Sequence, residues 1–597
     1  MVLSSSRMSP PPEPAETFMD ALARNQGAGP PPEERRWLFV PYDQLNHRLG
    51  PLSRNPPDTL GIVMVETPWK GRRRPYHLQK LALILANQRH FALEQAERGV
   101  AVDYRLDRRS YATVLREAAA QLGGLRMMEP AERELRVHLS PLVKAGILEL
   151  IPHEGWLASE ADLEAGAGPT PPWRMDAFYR HLRRSHGILL EDDGSPTGGR
   201  WSFDGDNRHP WHGHPTAPDP PTFQPDDVTQ EVLDFVARTF ADHPGRLDGT
   251  ALPATRADTE ASWTWALRHA LPHFGPFEDA MSRRSRTLFH TRISPLLNLH
   301  RLLAADVVAD VETLEVDGEL APLQSREGFI RQVLGWREFV RLVHRRTDGF
   351  RHLNPAPPVR ASPGFAGWWT GEVKTDSGPD SDPDGGAAPS HLSASNPLPP
   401  AWWGQTSGMA CLDQVVAGVL EEGWVHHIPR LMVLSNLATL LDVEPRELTD
   451  WFWVGFVDAF DWVVEPNVLA MGTFATGPVM TTKPYVSGTP YIRKMGDFCD
   501  DCELDPETSC PISHLYWAFL ERHRDRLKEN RRLALPLASA ARRDEATRTA
   551  DSQVFQAVSE ALEGGARVTA RLVEDARAVE APPVHERSGD PPEGTST

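Results

Sequence analysis

The sequence predicts an α/β domain built on a parallel, Rossmann-like sheet, joined by a long linker to a larger all-helical domain. Three observations predict it. Strand-like apolar runs alternate with helical stretches from Arg36 to about Gly155, residues 158–230 are rich in Pro, Gly and Trp with little regular period, and helical periodicity dominates after Asp227.

Residues 1–35 are rich in Pro, Ser and Glu and read as a disordered extension. Domain one, 36–157, opens with buried strands at Trp37–Pro41 and Gly61–Val65, each followed by a loop and a helix, the second from Tyr76 to about Arg98. A third strand, Ala101–Tyr104, precedes a helix at Tyr111–Leu122, and this β-α-β-α order implies parallel strands with helices on both faces. Residues 158–227 form the linker. The helical domain, 228–563, carries amphipathic stretches at Val228–Phe240, Arg256–Leu271, Phe329–Arg345, Cys411–Leu420, Leu431–Leu441 and Pro445–Asp458. An Asp/Gly/Ser/Pro-rich stretch at 375–395 reads as a mobile loop, and 564–597 as a flexible charged tail.

The chain has 597 residues, 40% of them hydrophobic, enough for a large core. Its apolar runs, such as Leu81–Ala86, are far shorter than the about 18 residues a membrane helix needs. No basic segment leading into an apolar stretch opens the chain, so a cytoplasmic, monomeric protein is expected. A net charge of −19 excludes a generally basic nucleic-acid binder but leaves room for a local basic face. There is no Gly-x-Gly-x-x-Gly signature, so the sheet is not a standard dinucleotide site.

The four cysteines are Cys411, Cys499, Cys502 and Cys510. Cys499 and Cys502 form a C-x-x-C pair, and Cys510 follows just before Pro511. Such a turn converges two thiolates on one centre; zinc and a [4Fe–4S] cluster both fit four thiolates, and a buried apolar Cys411 is the bland alternative. Tryptophan outnumbers tyrosine, 18 to 8. Aromatic stripes at helical spacing are more often core than an electron relay. His426 and His427 are adjacent, about 100° apart on a helix, so only one faces a given pocket; an imidazole beside a cavity would suit general acid work.

Longer strings are more specific. Phe329-Ile-Arg-Gln-Val-Leu-Gly-Trp-Arg-Glu-Phe339 resembles the R-Q-x-x-G-W-R-E helix of the cryptochrome/photolyase family. His426-His-Ile-Pro-Arg-Leu-Met432 and Asp458-Ala-Phe-Asp-Trp-Val-Val-Glu-Pro-Asn-Val468 resemble its flavin-pocket segments. Thr482-Lys-Pro-Tyr485, Tyr491-Ile-Arg-Lys-Met and Asp497-Phe-Cys-Asp-Asp-Cys502 are similar to the bacterial iron–sulfur branch, which includes (6-4) photolyases. The resemblance runs from about Arg36 to Pro536.

It implies light-driven repair of UV-damaged DNA, most of all the pyrimidine–pyrimidone (6-4) lesion. A blue-light photoreceptor of the same family is the alternative. It implies FAD in the helical domain, with Ser294 (in Thr291-Arg-Ile-Ser-Pro295), Arg430, Asp458 and Asn467 around it, and a [4Fe–4S] cluster on all four cysteines. Trp451 and Trp403 would relay electrons, although Phe452 stands where relatives carry a tyrosine. His427, then His426, would deliver a proton; Tyr485 and Tyr491 would line the lesion pocket, and Glu338 would bond the lesion. Arg283, Arg284, Lys483, Arg493 and Lys494 would meet phosphates. The branch commonly holds a lumazine-type antenna, whose expected region here reads Glu66-Thr-Pro-Trp-Lys-Gly-Arg-Arg-Arg74, unusually basic for that turn.

Overall fold

The computed structural model describes residues 17–26, 34–353 and 386–578. Five parallel strands form one sheet: β1 (Arg36–Phe39), β2 (Leu60–Glu66), β3 (Ala101–Leu106), β4 (Leu125–Met128) and β5 (Leu148–Ile151), in the order β3-β2-β1-β4-β5. β2 is buried along its whole length, as expected of a strand covered on both faces. In the β1–β2 register Trp37 lies opposite Gly61, and a Cβ on Gly61 would sit 2.5 Å from the indole, so only glycine fits beneath that ring. The three expected strands and both helices are present; β4 and β5, four residues each, were too short to stand out in the sequence.

Three expectations need correcting. Within the segment read as a disordered extension, Phe18–Asn25 is a helix capped by Thr17. Phe18 is fully buried, meets Tyr104 edge-on at 4.6 Å, and its N–H donates to Glu231 at 2.8 Å. One aromatic residue therefore outweighs the disorder-promoting composition around it. The linker is not irregular throughout, because Glu160–Ala167 and Met175–His186 are helices. In the C-terminal tail, Ala570–Ala578 is a helix that buries Val573. Residues 375–385 of the expected mobile loop lie outside the described residues; beyond them Ala387 is buried and its carbonyl accepts from Arg446.

The rest of the described chain is helical apart from a small β-hairpin at Glu315–Leu320. It is locked to the sheet domain by buried polar groups. Lys80 Nζ donates to the carbonyls of Trp453 at 2.8 Å and Ala459 at 2.6 Å, and the Arg74 guanidinium lies 4.0 Å from the Trp453 ring centroid. Besides one at Ala266–Ala270, π-helical turns occur at Arg331–Arg337, Arg430–Ser435 and Glu465–Gly472. Such turns frequently accompany functional sites, and here the last three face one cavity.

Candidate functional site

That cavity, called the inner one, has a volume of about 270 Å³, and a separate cavity of about 400 Å³, called the outer one, shares His426 with it. The inner cavity is walled by Phe329, Val333, Trp336, Val340, Trp424 and Trp462, with polar side chains such as His427, Arg430, Asp458 and Asn467 converging between them. A further cavity of 340 Å³ shares Thr291, Arg292 and Trp424 with it. Apolar walls with a few converging polar groups are the usual make-up of a cofactor or ligand site.

Ser294, Arg430, Asp458 and Asn467 all line the inner cavity. Arg430 clamps Asp458 with two bonds, 2.9 and 3.0 Å, and Ser294 Oγ donates to the same carboxylate at 2.6 Å. Burial alone would raise the Asp458 carboxyl; the Arg430 charge and these hydrogen bonds more than offset it and hold it below its usual range. The helix beginning at Ser294 has only five residues, and the serine hydroxyl is spent on Asp458. Asn467 Nδ2 donates to Val463 O at 2.8 Å, which leaves its side-chain oxygen for the cavity.

His426 and His427 line the cavity as well, joined by His290, which sequence reasoning missed. Its only signal was its place one residue before the Thr291–Pro295 string. The imidazoles of His290 and His426 stack with centroids 4.0 Å apart and 12° between planes. Nitrogens of the three rings lie within 4.8 Å of one another. Lone pairs of parallel rings lie in parallel planes, however, so His290 and His426 cannot converge on one ion as they stand. Among the described residues, His290 Nε2 and His426 Nδ1 are buried without hydrogen-bond partners. Burial pushes both imidazoles well below the usual value, helped by neighbouring histidines and Arg430. His427 has an exposed ring but sits deep in the cleft; the surrounding protein and then Arg430 push it down to about 4, an effect that solvent at the ring screens in part. All three are neutral at pH 7 in the free protein.

Tyr485 and Tyr491 are half-buried and line neither cavity, with Tyr491 OH 3.5 Å from Asp279. Glu338 does not reach the cavity. It is fully buried, accepts from the Ala158 N–H at 3.2 Å, and is paired with Arg337 and Arg341. Val333, Trp336, Arg337 and Val340 share the cavity-facing stripe, and helical spacing puts Glu338 on the opposite face.

Trp451 is buried and donates from Nε1 to the Trp402 carbonyl at 2.9 Å, while Trp403, the next residue after Trp402, is half-exposed. Phe456 bridges from Arg430, 4.1 Å from its ring centroid, to Trp451 at 6.0 Å and Phe452 at 5.0 Å.

Cys411 lies near the start of the helix Ala410–Glu422, and Cys499, Cys502 and Cys510 come from the segment after it. Burial, then the neighbouring thiols of Cys510, Cys499 and Cys502, push the Cys411 thiol up, so the four groups share one locality. No three of the four sulfurs lie within 4.8 Å of one another among the described residues.

The expected phosphate contacts are mostly engaged. Arg283 pairs with Asp501, Arg284 Nε lies 3.2 Å from Asp497, and Arg493 pairs with Glu507 at 2.7 Å. Lys483 is half-buried and Lys494 exposed. Arg283 and Arg284 line the outer cavity, next to His426.

In the turn after β2, Glu66 accepts from Arg89 and Tyr104, Lys70 Nζ pairs with Glu132 at 2.6 Å, and Arg74 pairs with Glu134. Lys70 and Glu132 border a cavity of 60 Å³.

Comparison with known proteins adds the following. A family model described as "deoxyribodipyrimidine photo-lyase-related protein" matches residues 38–252. A (6-4) photolyase of Agrobacterium fabrum (strain C58 / ATCC 33970) is 32% identical over 525 residues, 86% of this chain and 96% of that protein. An uncharacterised protein of Acanthamoeba polyphaga mimivirus is 31% identical over 97 residues, 16% of this chain and 76% of its own. A class III photolyase from Agrobacterium tumefaciens aligns with a TM-score of 0.48 at 14% identity, covering 88% of this chain and 98% of its own. A cryptochrome of Synechocystis sp. PCC6803 aligns with a TM-score of 0.47 at 15% identity, covering 79% and 87%.

Proposed function

The chain belongs to the photolyase/cryptochrome family, and on that premise we propose that it is a light-driven DNA-repair enzyme whose substrate is the pyrimidine–pyrimidone (6-4) product. The observation that carries the reading is the cavity: an apolar chamber holding the Arg430–Asp458 pair at one wall and His426 and His427 at another.

The chamber fits FAD. Its apolar walls match a fused ring, and the Arg430 guanidinium and the Asn467 side-chain oxygen supply a donor and an acceptor for a flavin's polar edge. The adjoining 340 Å³ cavity has room for the rest of the molecule. When bound, reduced FAD would supply one electron under light and recover it after the lesion's bonds rearrange.

The protein's own residues would exclude water from that chamber and orient the flipped-out lesion, a base pair already weakened by damage. His427 would deliver the proton from a ring nitrogen. It is neutral in the free protein, so phosphates arriving with the DNA would have to raise its proton affinity. The buried Trp451, beside Trp402 and Trp403, is the proposed route for re-reducing the flavin. We assign a [4Fe–4S] cluster to the four cysteines, whose thiols share one locality and whose C-x-x-C and C-P spacing resembles the iron–sulfur branch. A lumazine-type antenna at the turn after β2 would have to enlarge a 60 Å³ cavity and open the Lys70–Glu132 pair that borders it.

One observation favours a photoreceptor instead: Arg283 and Arg284 are tied to acids rather than open to phosphate. The two readings separate in one experiment. Protein with reduced flavin is given an oligonucleotide with a (6-4) product, in blue light and in darkness. Light-dependent restoration is expected, with His427→Ala binding the lesion but losing at least about 100-fold in repair. Bound, photoreducible FAD without repair would favour the photoreceptor.

A further inference from the structure

The four cysteines come from two segments far apart in the chain, Cys411 on the helix Ala410–Glu422 and the other three on the stretch 499–510. Cys411 is buried, whereas Cys499, Cys502 and Cys510 are only partly so. The loop between Cys502 and Cys510 is closed largely on itself. Asp505 Oδ1 accepts from the N–H groups of Glu507 at 2.8 Å and Thr508 at 2.9 Å, and the Asp505 carbonyl accepts from Cys510 N–H at 2.8 Å. None of these bonds ties the loop to the Cys411 helix.

A third segment touches both. After the helix Glu545–Glu563 the chain returns past the residues that lead into Cys411. Val568 N–H donates to the Ser407 carbonyl at 2.7 Å, and Gln405 Nε2 donates to the Gly565 carbonyl. Gly408, three residues before Cys411, has φ +87°, and a Cβ there would stand 2.1 Å from Val568 O, so this close approach requires glycine on two counts. On its other side the same segment meets the loop: Arg567 pairs with Glu503 at 2.7 Å, and Arg577 Nη1 donates to the Thr508 carbonyl at 3.0 Å. Those two contacts are exposed and weak singly. The segment is anchored by Val568 and Val573, both fully buried.

We propose that residues 565–578 are the third part of the cysteine site, a clip that holds the Cys502–Cys510 loop to the Cys411 helix and sets how fast a bound cluster loses iron. The inference rests on the cysteines holding a [4Fe–4S] cluster. The clip supplies no thiolate of its own; it acts by position. A cluster shared between two segments is released when they part, and here they part only after Val573 leaves its site, so local opening of the clip precedes iron loss.

The test is iron loss from cluster-loaded, full-length protein to bathophenanthroline, under argon and in darkness, followed by the colour of the ferrous complex. Val573→Ala should release iron about tenfold faster than the wild type. Arg567→Ala/Arg577→Ala, which frees only the loop side, should release it about threefold faster. Phe18→Ala is the control: it weakens packing in the sheet domain, away from the clip, and should leave the rate unchanged. Equal acceleration in Phe18→Ala and Val573→Ala would mean that iron loss follows global unfolding, and would overturn the proposal. Wild-type rates in Val573→Ala would overturn it too. If Val573→Ala does not fold, the double arginine variant decides against the same control. Protein that purifies with zinc, or without iron, would sink the cluster reading itself and the inference with it.

Discussion

At Glu278 burial outweighs the hydrogen bond from Asn207 and the attraction of Arg331; with Asp279 and Asp204 adding to it, the carboxyl is pushed up from 4.5 to about 8. The folded state therefore holds this proton more tightly than the unfolded chain. The resulting stability is present in full below the ordinary carboxylate value and is lost as pH rises through about 8. Glu278→Gln removes the titration, so its melting temperature should fall less than the wild type's between about pH 5 and about pH 9; parallel curves would refute this. Legibility at the residue scale was uneven. Ser294, Arg430, Asp458, Asn467, His426 and His427 all line the cavity, because each lay in a string whose chemistry is local. His290, Glu278 and Gln332 escaped notice, since their surroundings arise from contacts between segments far apart in the chain. Glu338 was misplaced because a helix-borne residue's direction depends on which stripe the fold buries.

Among the elements, the helix Phe18–Asn25 shows how little sequence is needed to dock a segment. Phe18 fills a site between Tyr104 and the Arg89 guanidinium, 5.1 Å from its centroid, and its N–H satisfies Glu231. Phe18→Ala should destabilise the fold by about 3 kcal/mol, read as a shift in the urea midpoint without a change in slope. A smaller loss, within about 0.5 kcal/mol, would show that the helix does not stay docked. The π-helical turns were beyond sequence reading for another reason. Periodicity located the helices at Phe329–Arg345 and Leu431–Leu441, but a single widened turn changes the hydrogen-bond ladder without changing composition.

For the molecule as a whole, a net charge of −19 means that DNA must be met by a local patch. Arg283 and Arg284 border the outer cavity, and phosphates would have to displace Asp501 and Asp497 from them. If they do, the double variant Arg283→Ala/Arg284→Ala should flatten the log–log salt dependence of duplex binding by up to about 1.8, at about 0.9 per phosphate contact. An unchanged slope would place the DNA elsewhere.

The sequence by itself determined the two-part architecture, the first three strands, the order of the helices, the four thiols and the family, because each is written in local periodicity, spacing or contiguous strings. Only the tertiary structure decided that His290 stacks on His426, that Gln332 bonds Glu278, that Glu338 turns away, and that the turn after β2 pairs with acids from a distant segment. Those outcomes depend on which buried groups must satisfy one another once distant segments are packed together. A buried polar atom's cost is settled by partners that lie close in space, wherever they fall in the chain.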